Sequence, residues 1–359
     1  SQEEEAEKLI AESSNKNVVD QEEYPKSVDT EHCCINIPAN LFHAPTGNNE
    51  NMAIGTASAE QDTSCPNLIM SSGVQKRLML SYPVQAVELV DENTIGICAI
   101  LGTTYTGQYE DVKGINDLLV QRGLDTPIHV DAASGGFVAP FVNPSLEWDF
   151  TLSNVVSINV PPQVRTPSNS VQVHPGTGWA LWRSSSHLPD DLIFNIDYPG
   201  SDQLNFTLNF SKSASHIIAQ YYQTIRLGKR GYTAIMTNLT DTADYLSSQL
   251  SALGFIIMSE GGGHGLPVVA FRLGPEQGIS FDEFAVSAKL RERGWIVPAY
   301  KMAADAGMSM MRAVVREEFS RSRCESLVCD IRWALKALVE REVLNVQRYQ
   351  ALKVRICLA

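Results

Sequence analysis

The chain has 359 residues, 44% of them hydrophobic, and a formal net charge of −13 from 41 acidic and 28 basic side chains. This length is sufficient for a large core and predicts two domains. Because the excess charge is acidic and no basic block occurs, nucleic acid and anionic membranes are not expected as partners. The seven cysteines contain no CxxC pair. This pattern predicts no metal site and favours a reducing, cytoplasmic compartment.

The N-terminal part is predicted to be mostly helical. Helices are expected over residues 3–14 and 28–42, the second ended by turn-forming residues. Residues 55–66 are small and polar and are expected to form a loop, followed by a short strand at 67–70. A further short helix is expected over 84–90.

Strands and helices then alternate. The near-continuous apolar run at 94–101 is typical of a strand buried on both faces, and it is too short to cross a bilayer. Apolar residues at helical spacing predict a helix over 110–122, and the next strand is expected over 126–130. Strands are also expected over 155–160 and 178–182. Strand, helix and strand at this spacing predict a βαβ unit in a parallel sheet.

The second half of the chain is predicted to begin with two helices, over 213–227 and 233–253, and to end in a smaller α/β domain. The later predicted elements are strands over 255–258, 268–273 and 308–315 and helices over 281–293 and 320–342. Residues 346–355 are mildly basic and apolar, and a solvated helix end is favoured there over a calmodulin-type target.

Asp131 is the residue that first suggests a cofactor site. It follows a predicted strand, and ligands of open parallel sheets bind beyond the carboxyl ends of the strands. The small residues at 132–136 let backbone and ligand approach closely, and Thr104 ends the preceding strand. An acid in this place suits pyridoxal phosphate, whose pyridinium nitrogen uses an acidic partner. The alternative is that Asp131 is a helix cap or a turn former.

Ten stretches of the sequence carry a more specific signal. They are VDQEEYP (19–25), LVDENT (89–94), GTTYTG (102–107), HVDAASGGFVAPF (129–141), LEWDF (146–150), SINV (157–160), GWALWR (178–183), LNFS (208–211), IIAQYY (217–222) and GWIVPA (294–299). Through them the chain resembles the glutamate decarboxylases, which are fold-type-I pyridoxal-phosphate enzymes. The resemblance implies an α/β fold: a mostly parallel sheet with helices on both faces, plus a smaller C-terminal α/β domain.

The resemblance also implies a domain organisation and an activity. Residues 1–54 correspond to an N-terminal helical segment that starts after the family's first part. Residues 55–254 correspond to a large cofactor-binding domain with internal deletions, and residues 255–359 to a small C-terminal domain. The implied reaction is the α-decarboxylation of L-glutamate, or of a similar small amino acid, with pyridoxal 5′-phosphate as cofactor. Its products from glutamate are 4-aminobutyrate and carbon dioxide, and a homodimer or higher homo-oligomer is implied.

By the same resemblance, individual residues acquire roles around the cofactor. Asp131 is implied to hold the pyridine nitrogen, Gln75 to lie against the ring and Thr104 to contact the ring substituents. Ser58 is implied to remain as a partial ligand of the phosphate. Ser211 is implied to reach the phosphate bound by the neighbouring subunit.

Two further residues are implied to contact the substrate. Arg312 would hold the α-carboxylate, which must stay fixed while its bond turns toward the ring π system. Asp20 would shape the pocket for the distal carboxylate. From the residues alone, Arg312 could equally form a structural ion pair, and His129 is expected to be a packed strand histidine. The glycine-rich run at 261–265 lies between two predicted strands, so a turn is favoured over a phosphate cradle.

The lysine that the family uses to attach its cofactor is missing. The family continues Ser-Ile-Asn-Val with Ser-Gly-His-Lys, whereas this chain continues after Val160 with Pro-Pro-Gln-Val-Arg. Val164 therefore takes the place of the Schiff-base lysine, with Arg165 next to it. Arginine stays protonated near neutral pH and cannot serve as that amine. No lysine occurs anywhere between Lys113 and Lys212.

The other departures from the family are also abrupt blocks. The phosphate loop and the helix after it are replaced at 57–66, and a second cut falls at 76–84. Three hypotheses follow. The chain is a decarboxylase with impaired or absent catalysis, a non-catalytic relative that pairs with an active subunit or only binds ligand, or an active enzyme's sequence altered by skipped or retained gene segments. The third explains why changes at 57–66, 76–84 and 161–174 stand between closely matching stretches.

Overall fold

A computed structural model describes residues 2–18, 20, 22–45, 54–58, 83–160, 178–188, 193–196, 203–205, 213–274, 281–302 and 308–357. The chain divides into two compact units. The first consists of residues 1–103 and 109–236, and the second of residues 104–108 and 237–359. The strand predicted at 67–70 lies outside the described residues.

The first unit combines helices with a central sheet. In chain order its elements are α1 (Gln2–Ser13), α2 (Pro25–Leu41), β1 (Ile54–Ser58), α3 (Pro83–Glu88), β2 (Ile97–Ile100), α4 (Val112–Arg122), β3 (Ile128–Asp131), α5 (Ala139–Val142), β4 (Val155–Val160), β5 (Gly178–Trp182), β6 (Phe194–Ile196), β7 (Gln203–Asn205) and the first part of α6 (Ser215–Ala252). The helices predicted over 3–14, 28–42 and 84–90 are confirmed, with ends that differ by a few residues.

Five of the described strands form one sheet in the order β1-β5-β4-β3-β2. Strands β2, β3 and β4 run parallel, whereas β5 pairs antiparallel with both β4 and β1. Helix α4 connects β2 to β3, which confirms the predicted βαβ unit. Asp111 caps this helix by accepting a hydrogen bond from the Gly114 amide at 2.8 Å, and Gly123 ends it in the left-handed conformation.

The loop predicted at 55–66 is wrong for its first residues. Residues 55–58 belong to β1, which pairs antiparallel with β5 along its whole length. Small and polar residues have a low strand propensity, but hydrogen bonding of their backbone to a neighbouring strand outweighs it. Because the partner strand lies more than a hundred residues later in the chain, the local sequence carries no signal of this pairing. The rest of the predicted loop lies outside the described residues.

The core of the first unit lies along the parallel strands. Ile128, Val130 and Ile158 are completely buried, as is Leu181 on β5. Burying an aliphatic side chain of this size contributes about 2 kcal/mol. The apolar strand interiors therefore hold the carboxyl ends of β3 and β4 side by side, and polar residues at those ends share a fixed frame.

The second unit contains an antiparallel sheet. Its elements after the end of α6 are β8 (Phe255–Ile257), β9 (Val268–Leu273), α7 (Glu283–Arg291), β10 (Ala299–Lys301), β11 (Ser309–Val314) and α8 (Arg321–Cys357). The described strands follow the order β10-β11-β9-β8, and each neighbouring pair is antiparallel. All the strands and helices predicted after residue 254 are confirmed. Helix α8 continues beyond its predicted end at residue 342, and β10 was not predicted.

Helix α6 corresponds to the two helices predicted over 213–227 and 233–253. It consists of two helical parts that meet in a kink at Gly228, which has φ 54° and ψ −178°. Essentially only glycine adopts this combination of angles without strain. The kink falls between the two predicted helices, so the predicted break is confirmed.

Candidate functional site

Asp131 is the last residue of β3, and its side chain is partly exposed. In the sheet it lies opposite Ile100 on β2 and Asn159 on β4. Its Oδ1 atom accepts hydrogen bonds from the Ala133 amide and from Nδ2 of Asn159, each at 3.1 Å. The bond to the Ala133 amide is the contact expected of a turn-forming aspartate, the alternative role considered for Asp131. Neither bond uses Oδ2, so the same carboxylate has a second acceptor for a ligand cation.

Four polar side chains on β3 and β4 are joined by hydrogen bonds, and we call them the polar network: Ser157, His129, Asn159 and Asp131. Nδ1 of His129 lies 2.8 Å from Oγ of Ser157, and its Nε2 lies 2.9 Å from Oδ1 of Asn159. His129, Ser157 and Asn159 are only 3%, 9% and 7% exposed. Burial lowers the pKa of His129 to about 4, although the charge of Asp131 and the bond to Asn159 act in the opposite direction. The imidazole is therefore neutral near pH 7.

The expectation that His129 is a packed strand histidine is confirmed by its burial, but Ser157 and Asn159 were not singled out from the sequence as site residues. A signal was present. Residues two apart on a strand face the same side of the sheet. Residues 129 and 131 and residues 157 and 159 therefore place four polar side chains on one face of two neighbouring strands. Recognising this requires knowing that β3 and β4 are neighbours in this register.

Glu110 adds a second carboxyl group near the end of β3. Its Oε2 atom accepts a hydrogen bond from the Ile100 amide at 2.7 Å. Burial raises the pKa of Glu110, and the nearby charge of Asp131 raises it further, against the lowering effect of the Ile100 hydrogen bond. Glu110 was not predicted from the sequence, since it precedes a helix and resembles an ordinary surface glutamate.

The glycines after Asp131 serve close packing within the protein. A Cβ atom on Gly135 would lie 2.4 Å from the Leu101 carbonyl oxygen. A Cβ atom on Gly136 would lie 2.6 Å from Cγ2 of Val160. Such distances are too short for any side chain. Within the protein, this segment therefore packs closely against the ends of β2 and β4.

In the second unit, the structure brings Arg312 and Thr104 together. Nη1 of Arg312, on β11, donates a hydrogen bond to the backbone carbonyl oxygen of Thr104. The guanidinium carbon lies 5.4 Å from the centroid of the Tyr300 ring, and Tyr105 packs edge-on against that ring at 5.9 Å. Among the described residues these partners are a carbonyl and an aromatic ring, not the carboxylate that a structural ion pair requires. The Nε atom of Arg312 is buried without a hydrogen-bond partner there.

The glycine-rich run at 261–265 forms a turn, as predicted. The Gly262 amide donates to both carboxylate oxygens of Asp244, each at 3.1 Å. Gly262 and Gly263 have positive φ angles of 65° and 80°. The Gly262 amide, which a phosphate-binding turn would use to bind its ligand, is therefore already hydrogen-bonded to a carboxylate of the protein.

The remaining predicted site residues are less informative. Oδ1 of Asp20 accepts a hydrogen bond from the Glu23 amide at 3.1 Å, a turn contact just before α2. Ser58 ends β1 opposite Gly178, and its side chain is not described. Four positions lie outside the described residues: Gln75, Val164, Arg165 and Ser211. In the described part of the chain, no helix has the length and apolar character needed to cross a membrane.

Comparison with known proteins identifies the class of protein that has this fold. The family model for the pyridoxal-dependent decarboxylase conserved domain matches residues 68–274. The solved structure of a Lactobacillus brevis glutamate decarboxylase superposes with a TM-score of 0.79 at 32% identity, covering 93% of this chain and 85% of that one. A Burkholderia pseudomallei sphingosine-1-phosphate lyase, at 17% identity, shares the fold with a TM-score of 0.72. The predicted fold-type-I α/β class is thereby confirmed.

Sequence relatives narrow the class further. Glutamate decarboxylase of Solanum lycopersicum is 43% identical over 93% of this chain and 74% of its own length. Glutamate decarboxylase beta of Listeria monocytogenes is 34% identical over 95% of this chain and 83% of its own. The chain belongs to the glutamate decarboxylase family of pyridoxal-dependent decarboxylases. Pyridoxal phosphate is the cofactor of this family, as the resemblance implied.

The residues of this chain fit one end of that cofactor. Asp131 offers a partly exposed carboxylate with one oxygen fixed by two donors, which suits a pyridinium nitrogen. The fit fails at the other reactive end, because the sequence has no lysine between Lys113 and Lys212 to provide an amine. The donor set therefore supports binding of the ring and argues against covalent attachment at the family's position.

Proposed function

We propose that this chain carries the site of a glutamate decarboxylase, for L-glutamate as substrate and 4-aminobutyrate and carbon dioxide as products, and that its catalysis is impaired. The observation that carries the proposal is the Asp131 carboxylate, fixed at the end of β3 by Asn159 and Ala133. The proposed impairment rests on the absence of a lysine between Lys113 and Lys212, where the family's cofactor-binding lysine is expected. The choice of glutamate rests on the relatives.

Two side chains have assigned tasks. The Asp131 carboxylate stabilises a positive charge on the ring nitrogen, because opposite charges at hydrogen-bond distance favour the ionised pair. Bound pyridoxal phosphate supplies the electron sink that loss of a carboxylate requires. Arg312 binds the α-carboxylate of the substrate. The Thr104 carbonyl and the Tyr300 ring hold the guanidinium in place, and its buried Nε–H is a donor suited to a carboxylate.

Impairment follows from the replaced block. A lysine amine normally exchanges with the substrate amine and later releases the product, and neither Val164 nor Arg165 can do so. Free amino acid can still react with the cofactor directly, but slowly. We therefore expect ligand binding without efficient turnover.

Release of labelled carbon dioxide from carboxyl-labelled L-glutamate tests this proposal. Purified chain with added pyridoxal phosphate is expected to release it only slowly, although faster than the Asp131→Ala variant does. Sustained turnover by the wild-type chain refutes the impairment. If that turnover also disappears in Arg312→Ala, the family reaction and the assigned role of Arg312 are supported together.

A non-catalytic role is the alternative, favoured by the same missing lysine. In this case the chain binds cofactor and amino acid only, or pairs with an active subunit. The visible absorbance of added pyridoxal phosphate, measured with L-glutamate in wild type and in Arg312→Ala, is combined with carbon dioxide release to separate the two. Glutamate-dependent spectra with slow release above the Asp131→Ala rate indicate impaired catalysis, and the same spectra without release indicate a binding protein. Spectra that never respond to glutamate exclude amino-acid binding and leave only a role as the partner of an active subunit.

Three wider features belong to the proposal. A homodimer is expected because Ser211 corresponds to a residue that reaches the neighbouring subunit's phosphate in the family. A cytoplasmic location is supported by the free thiols of Cys33, Cys34, Cys324 and Cys329. The block changes at 57–66 and 161–174 are proposed to arise from skipped or retained gene segments. Transcript reads that reproduce the present sequence across both blocks exclude that origin.

A further inference from the structure

The polar network is arranged in two register pairs. His129 lies opposite Ser157, and Asp131 lies opposite Asn159, on the parallel strands β3 and β4. The contacts run in one line: Ser157 Oγ to His129 Nδ1 at 2.8 Å, His129 Nε2 to Asn159 Oδ1 at 2.9 Å, and Asn159 Nδ2 to Asp131 Oδ1 at 3.1 Å. The chain of bonds thus begins in the interior and ends on the partly exposed carboxylate.

Each bond in the network has a fixed direction. A carboxylate only accepts, so the amide NH₂ of Asn159 must face Asp131, and its carbonyl oxygen must face His129. That oxygen needs a donor, so Nε2 of His129 carries the ring proton. The burial that lowers the pKa of His129 to about 4 keeps the ring neutral. Nδ1 is then an acceptor, and the Ser157 hydroxyl donates a hydrogen bond to it.

We propose that Ser157, His129 and Asn159 are positioning residues that orient the Asp131 carboxylate toward the ring nitrogen of the cofactor. This inference rests on the proposed function of Asp131. His129 fixes the orientation of the Asn159 amide, and the amide in turn fixes Oδ1 of Asp131. The plane of the carboxylate is thereby set, and Oδ2 is presented to the ligand. His129 acts through Asn159 and is assigned no direct contact with the cofactor.

A purely structural role makes a different prediction. Buried polar groups commonly satisfy one another, and removing one lowers stability without any effect on a ligand. Asn116 provides the matched control, because it is also buried and its Oδ1 accepts a hydrogen bond from the Asn154 amide at 3.0 Å. It lies on α4 and is not part of the polar network. Asn159→Leu and Asn116→Leu each remove one buried amide, but only the first removes a donor to Asp131.

The first measurement needs no cofactor. In protein labelled with ¹⁵N-histidine, long-range ¹H–¹⁵N spectra report which ring nitrogen carries the proton. The His129 signals are assigned by their absence in His129→Phe. The expected result is a neutral ring protonated on Nε2. A proton on Nδ1 reverses the bond directions and overturns the proposal.

The second measurement is the dissociation constant of pyridoxal phosphate, from absorbance titration of variants that retain a cooperative thermal transition. Asn159→Leu and His129→Phe are expected to raise it about tenfold, by analogy with the loss of metal affinity when the hydrogen-bond partner of a metal ligand is removed. Asn116→Leu is expected to leave it unchanged. Wild-type affinity in both network variants, or an equal loss in all three, overturns the positioning role alone. A wild-type chain that binds no pyridoxal phosphate overturns the proposed function and, with it, this role.

Discussion

At the scale of single residues, Asp131 differs from an ordinary turn aspartate in the partners it has. The Ala133 amide satisfies the turn geometry, and the additional donor comes from a buried side chain on the next strand, Asn159. A turn alone needs only the first of these. The second contact links an exposed strand end to the interior of the sheet, which is the arrangement expected of a group that must hold a fixed orientation for a ligand.

Asp131→Asn tests the charge of this residue separately from its shape. The amide keeps the size of the side chain and one acceptor oxygen but cannot balance a pyridinium. We expect the dissociation constant of pyridoxal phosphate to rise by roughly 10- to 100-fold, equivalent to about 1.4 to 2.7 kcal/mol. The free energy of unfolding should change little. Asp125→Asn, on the exposed segment before β3, is the matched control and should bind as wild type does. Equal affinity in Asp131→Asn contradicts the assigned charge pairing.

His129 predicts a specific dependence of stability on pH. Its folded-state pKa is about 4, below the ordinary 6.5, so the folded protein binds a proton less readily than the unfolded chain. This contribution is fully present above pH 6.5 and is lost as the pH falls toward 4, by roughly 3 kcal/mol in total. In urea unfolding at pH 7.0 and 4.5, His129→Gln should lose less stability on acidification than wild type. His264→Gln, at an exposed position, should behave as wild type. Parallel pH curves for wild type and His129→Gln exclude a neutral buried ring.

At the scale of elements, the structure was predicted correctly from the sequence where local residue patterns determine it. The βαβ unit, the break in α6 and the strands β8, β9 and β11 all follow from periodicity and turn residues. The prediction failed for β1, where non-local pairing with β5 overrides local propensity, and for β10, whose three residues are too few for a period. The site shows the same limit, because contacts between strands that are distant in sequence cannot be predicted from local patterns. Asp131 and Arg312 were identified from a strand end and a resemblance, but Asn159 needed the register between β3 and β4.

Substituting the glycines at two helix irregularities should lower the free energy of unfolding by different amounts. Gly123 ends α4 at φ 66° and ψ 34°, whereas Gly228 kinks α6 at φ 54° and ψ −178°. A Cβ atom at either position meets no neighbour within 4 Å, so substitution affects only the backbone. Gly123→Ala should cost about 1 kcal/mol, and Gly123→Asn should cost less, because asparagine tolerates the left-handed region. Gly228→Ala should cost about 1–3 kcal/mol, and asparagine should give no relief, because that region suits glycine alone. Urea unfolding measures all four variants, and relief by asparagine at 228 contradicts the observed angles.

At the scale of the whole molecule, stretches that resemble the family and stretches that differ from it are sharply separated along the sequence. The β3–β4 frame and its polar network agree with the proposed ring-nitrogen site, and 93% of the chain aligns with a glutamate decarboxylase relative. By the resemblance, the positions of the lysine and the phosphate loop fall in two replaced blocks, at 161–174 and 57–66. Gradual decay after loss of function distributes substitutions among all functional positions, including Asp131 and Arg312. Their retention limits the proposed deficit to the lysine and the phosphate loop, and the lysine is the part that a short replacement can address.

Restoring the family sequence after Val160 tests this conclusion directly. Residues 161–164 are replaced by Ser-Gly-His-Lys, which removes two prolines and supplies an amine at the position of Val164. We expect borohydride treatment with pyridoxal phosphate to label the restored chain covalently on the new lysine, as detected by peptide mass, because a lysine can lose its proton and attack the cofactor aldehyde. The same block ending in Arg is the matched control and should remain unlabelled at that position, since its guanidinium stays protonated. If the lysine variant is not labelled while it still binds the cofactor, the amine does not reach the cofactor from residue 164. In that case, the loss at 57–66 limits the site more than the lysine does.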